Sequence, residues 1–91
     1  MTREELIDII SKDENTKKVS KETGCIMMDN CILTVRDTDL RVEAFGCGLT
    51  MLVPLEDLYV EENCPTCHMD GVPDWVTVRS KNGNLDFTFT K

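Results

Sequence analysis

Apolar residues near the start of the chain fall three and four apart. In TREELIDIISK, residues 2–12, Leu6, Ile9 and Ile10 form one stripe with Ile7 at its edge. That spacing predicts a short helix lying apolar side down on a sheet. Thr2 with Glu5 three positions on has the form of a capping box, and Glu4 and Glu5 sit near the positive end of the helix dipole. From Asp13 to Thr23 (DENTKKVSKET) the pattern lapses, with Val19 alone apolar, and the stretch reads as an extension of the helix or as a loop.

Period-two alternation begins after Gly24. In CILTVR, Leu33 and Val35 share one face, and Ile32 and Thr34 the other. Beyond Asp37-Thr38-Asp39, the run LRVEAF sets Leu40, Val42 and Ala44 against Arg41 and Glu43, so the two runs predict a hairpin. Gly46-Cys47-Gly48 interrupts with a tight turn or bulge. LTMLV then resumes as a strand until Pro54, which cannot donate to a ladder. PLEDLYV predicts one helical turn with Leu55 and Leu58 inward. Past a loop over 61–73, WVTVRSKNGNLDFTFT holds Asn82-Gly83, the preferred pair for a two-residue type I′ turn. Centring a hairpin there sets Val78 opposite Phe87, Val76 opposite Phe89, Arg79 opposite Asp86 and Thr77 opposite Thr88. The register of the Cys25–Cys31 stretch stays open.

These elements predict a single α+β domain over 1–91. An N-terminal helix packs on a curled antiparallel sheet of about five or six short strands, or on a small partly open barrel, and a β-hairpin closes the chain. The sheet interior draws on Leu33, Val35, Leu40, Val42, Met51, Val53, Val76, Val78, Phe87 and Phe89, with Trp75 expected under the helix.

Size makes that core thin. A chain of 91 residues buries roughly 60–65% of its unfolded surface. No apolar run is long enough to span a bilayer, and the acidic N-terminus lacks the features of a signal peptide, so the expected compartment is the cytoplasm. The formal net charge is −7, and its distribution says more than its total. Between Glu43 and Val78 there is no Lys or Arg, while Glu43, Glu56, Asp57, Glu61, Glu62, Asp70 and Asp74 all fall there. Elsewhere acids and bases balance. Such a field repels nucleic acid and anionic membranes and steers a basic partner or a cation toward it.

Recognisable chemistry is confined to NCPTCHMDG, residues 63–71. Cys64 and Cys67 have the spacing at which one turn aims two thiolates at a single zinc ion. A closed site needs further ligands, for which Cys47 in its Gly-Cys-Gly turn, His68, and Cys25 or Cys31 are the candidates. The literal C-x-x-C-H pattern also fits haem attachment, against which the missing export signal stands. A redox pair wants a lowered thiol pKa at a helix start, whereas CPTC is followed by HMDGVP in acidic surroundings. Unligated thiols on a loop remain the plain alternative. The five cysteines are odd in number and, without export, argue against a disulfide framework. No nucleophile elbow and no phosphate-cradling glycine loop is present, and Asp37 and Asp39 read as turn formers.

The expectation is a non-enzymatic binding or regulatory protein without a cofactor. It docks the acidic residues Glu43, Glu56, Asp57, Glu61, Glu62, Asp70 and Asp74 on a basic protein surface, with no direct contact to nucleic acid or membrane. Its size and one-sided charge fit an inhibitor of the kind mobile genetic elements encode, aimed at a nucleic-acid-binding protein. The alternative is a domain stabilised by zinc on Cys64, Cys67 and Cys47; a thiol-redox protein is the third class.

Overall fold

In the computed structural model, which describes residues 1–46, 48, 50–62, 75–83 and 85–90, the first helix starts where its cap demands. Helix α1 spans Arg3–Ser11, and the Thr2 side-chain oxygen accepts from the Glu5 N–H at 3.2 Å. Leu6, Ile7 and Ile10 are buried, and Ile9 is the partly covered edge of the stripe. Ile7 and Ile9 therefore exchange the parts that the spacing assigned them.

The helix does not continue past Lys12 because Asp13 turns inward. Only 6% exposed, Asp13 accepts from the Asn15 N–H through Oδ1 and from the Thr90 N–H through Oδ2, both at 2.8 Å. Thr16 donates its hydroxyl to the Ile10 carbonyl at 2.7 Å. These bonds redirect the chain into a strand, β1 (Thr16–Ser20), where helix extension or loop was expected. As an edge strand it needs little apolar content: Val19, paired with Ile26, is enough.

Four further strands follow: β2 (Cys25–Met28), β3 (Cys31–Val35), β4 (Asp39–Ala44) and β5 (Thr50–Pro54). The five form an antiparallel meander in chain order. The register carries one apolar row across all of them, Val19–Ile26–Leu33–Val42–Met51, with Val35–Leu40–Val53 beside it. Helix α1 lies against β1 and β3 and contributes to the same core. The β3–β4 hairpin is the one its alternation predicts.

Gly24 and Arg3 set the β1–β2 corner. Gly24 has φ +74 and its carbonyl accepts from the Val35 N–H at 2.8 Å; a Cβ there would stand 2.0 Å from the Val35 oxygen. Arg3 reaches across to the Lys21 carbonyl at 2.8 Å and the Val35 carbonyl at 3.2 Å, binding the helix start to that corner.

The helical turn expected over 54–60 is a single 3₁₀ turn, Leu55–Asp57, with Leu55 and Leu58 inward as expected. Leu58 is extended and opens β6 (Leu58–Glu62), so Glu61 and Glu62 belong to a strand and not to the following loop. The competing force is a complete ladder with β7 (Trp75–Ser80), running from Leu58↔Ser80 to Glu62↔Val76. β8 (Asp86–Thr90) completes a three-stranded antiparallel sheet in the predicted register, Val76↔Phe89 through Arg79↔Asp86. Its turn differs from prediction. Ser80 N–H donates to the Leu85 carbonyl and Gly83 N–H to the Ser80 carbonyl, and Gly83 alone of the Asn82-Gly83 pair has positive φ. That excludes a type I′ turn on Asn82-Gly83, which needs both central residues at φ > 0.

The class is thus α+β, with eight strands in two sheets among the described residues where five or six in one sheet were expected. Of the ten predicted interior residues, Met51 and Phe87 are partly covered and the others are buried. The side chain of Trp75 lies outside the described set.

Two substitutions separate the constraints. Asp13→Ala strips acceptors from two backbone N–H groups and lowers unfolding free energy by about 2–3 kcal/mol. Gly24→Ala combines left-handed strain with a collision against backbone and costs about 3 kcal/mol or more, whereas Gly83→Ala meets open space and costs about 1–2 kcal/mol. Urea unfolding monitored by circular dichroism checks this ranking.

A candidate acidic binding groove

The β3–β4 turn is held over the end of β5 by backbone pairing. Asp39 pairs with Pro54, and the Leu55 N–H donates to the Thr38 carbonyl at 2.9 Å. The N-terminus of α1 closes the third side. Between them lies an open groove of about 820 Å³, lined in part by Thr2, Glu5, Asp37, Asp39, Leu55 and Glu56. Four carboxylates from three separated parts of the chain therefore meet at one place.

Their compensation is incomplete. Arg36 Nε stands 3.3 Å from Asp39 Oδ1. That oxygen is covered by neighbouring atoms and accepts no hydrogen bond, so Arg36 supplies charge without good donor geometry. Among the described residues Glu5, Asp37 and Glu56 form no ion pair, and the Met1 ammonium in the same groove donates to the Leu55 carbonyl at 3.2 Å. Exposed carboxylates of like sign raise the local potential together and are relieved by any cation that settles among them.

The acidic residues singled out from the chain's charge map separate in space. Glu56 lines the groove, with Asp57 beside it in the 3₁₀ turn. Glu43 lies on the outward face of the five-stranded sheet, 3.3 Å from Arg41 Nε. Glu61 is on the three-stranded sheet in an ion pair with Arg79, which also faces Asp86 at 3.3 Å. Exposed pairs of this kind contribute about 0–1 kcal/mol each, but they cancel the field of Glu43 and Glu61 locally. Glu62 is placed only by its strand position. Asp70 and Asp74 fall outside the described residues, as do Cys47, Cys64, Cys67 and His68. Glu5, Asp37 and Asp39 were missed by a charge map read along the chain. The hairpin turn that carries both aspartates was the available signal.

Two described cysteines are free. Cys25 is half-buried at the start of β2, and Cys31 is buried at the start of β3, where desolvation raises its pKa. No group of three or more His, Cys, Asp or Glu side chains suited to a metal occurs among the described residues, and none of their helices is long and apolar enough to cross a membrane. No protein-family model, curated protein or solved structure matches the chain.

The thiols give a direct check on the strand placement. In the folded protein at mildly alkaline pH, iodoacetamide modifies Cys25 well before Cys31, and the difference vanishes in denaturant, as read by peptide mass spectrometry. Because folding raises the Cys31 pKa, the native state keeps a proton that the unfolded chain releases. The Cys31 contribution to stability is therefore intact below the ordinary thiol pKa and is lost as pH rises above it.

Proposed function

We propose that this chain is a small binding protein that docks on a basic surface of a partner protein and regulates it by covering that surface. The observation that carries the proposal is the groove, where Glu5, Asp37, Asp39 and Glu56 gather and outnumber the cations beside them, the Met1 ammonium and Arg36. The chain-wide charge of −7 supports it, since the same field that draws in a basic surface turns away nucleic acid and anionic lipid. Competition with nucleic acid for a basic, nucleic-acid-binding protein is the finer form of this reading.

Partners captured from the native host at low salt and lost at high salt supply the material for the test. With such a partner, stopped-flow association slows steeply as ionic strength rises, and the triple variant Glu5→Gln, Asp37→Asn, Glu56→Gln associates at least about tenfold more slowly while folding normally. Association indifferent to both salt and charge removal defeats the proposal.

A second reading keeps zinc, on Cys64 and Cys67 with Cys47. Its support is the placement of the strand ends that flank those residues. The Phe45 N–H bonds the Asn30 carbonyl at the end of β4, and Trp75 pairs with Thr90 where β7 begins. Cys31, Asn30 and Phe89 line one cavity at that same end of the molecule, whereas Cys25 opens β2 at the other. Native mass spectrometry tests it: one zinc per chain, with chelation lowering the melting temperature, supports the reading, and a metal-free mass with every thiol titratable removes it.

A further inference from the structure

A sheet edge with no strand beside it is a template for pairing, and folded proteins guard such edges with charge, bulges or cover. Three of the four edges here carry charge. β1 has Lys17 and Lys18 at a bulge, with Lys17 paired to Asp29 at 3.3 Å. β6 carries Glu61 near its end. β8 begins at Asp86, and its far end is tied down where Thr90 bonds Asp13 and Glu14. β5 has only Pro54, at its end, as a guard. Its sequence, TMLVP, holds no charge, its pairing with β4 is regular from Asp39↔Pro54 to Glu43↔Thr50, and no strand lies on its other side among the described residues. Leu52, at its centre, is 57% exposed.

The groove adjoins this edge. Pro54 and Leu55, where β5 runs out, line it together with Asp37, Asp39 and Glu56. A strand laid along β5 would thus pass from an uncharged stretch beside Leu52 into a set of carboxylates. We propose that the β5 edge receives an extended segment of the basic partner as an added strand, with an apolar side chain against Leu52 and cationic side chains entering the groove. Main-chain hydrogen bonds supply affinity in such an addition, and the flanking pockets supply selectivity. The proposal rests on the acidic-groove function and names the form in which the partner is bound. Charge decides the occupant: a second copy brings another −7 to the same field, while a basic segment neutralises it.

The probe is a synthetic peptide of alternating valine and lysine, compared with the same peptide N-methylated at alternate residues and with a lysine-rich peptide stapled as a helix. The expected result for the extended peptide is amide shift changes in the protein concentrated at Thr50–Val53, Asp37, Asp39 and Glu56. Methylation should weaken binding by about tenfold or more, and Leu52→Lys, a change at an exposed position, should do the same without altering the fold. If the extended, methylated and helical peptides bind equally, or if the shifts avoid β5, strand addition is overturned while the acidic-groove function stands. If no basic peptide binds at low salt, both fall. A protein that dimerises through β5, detected by sedimentation and abolished by Leu52→Lys, overturns the choice of occupant.

Discussion

One buried carboxylate joins the two ends of the described fold. Asp13 is buried, yet both its oxygens are occupied by backbone N–H groups, one from the turn it begins and one from Thr90 on the last strand. Charged hydrogen bonds of this kind are stronger than neutral ones, and an uncompensated carboxylate in the same place would be costly. The residue thus does two things at once: it ends the helix, and it attaches the five-stranded sheet's helical cover to the three-stranded sheet. Leu6, Ile10, Val78 and Phe89 can share one core because the latch holds those layers together.

The groove follows from the same assembly. Its walls come from three separate segments: the helix start brings Glu5, the β3–β4 turn brings Asp37 and Asp39, and the 3₁₀ turn brings Glu56. Their proximity is fixed by backbone bonds, Leu55 to Thr38 and Asp39 opposite Pro54, and not by attraction among the acids, which repel. Carboxylates held together against their repulsion keep a potential that a flexible acidic loop would spread out. Glu43 and Glu61 show the contrast, since each carries its own arginine and adds little field.

What was legible in the sequence was local. The Thr2–Glu5 cap, the β3–β4 hairpin and the register of β7 with β8 each follow from residues close together in the chain. Two edge strands escaped. β1 needs a single apolar residue, Val19, because its outer side faces water. β6 hid behind Leu55 and Leu58, whose three-residue spacing a single 3₁₀ turn satisfies before the ladder with β7 takes over. The Asn82-Gly83 pair marked the place of a turn but not its type. The groove was illegible for another reason: a charge map drawn along the chain weights neighbours in sequence, and the three segments that carry these acids meet only through sheet register and helix packing.

The latch also imposes an order on assembly. The meander from β1 to β5 is built of adjacent hairpins, each closing over a short stretch of chain, so loop-closure entropy opposes it little. Asp13 and Thr90 are 77 residues apart. During vectorial synthesis the carboxylate that ends the first helix must therefore stay hydrated until β8 emerges, and a nascent chain halted before β8 keeps an open seam beside β7.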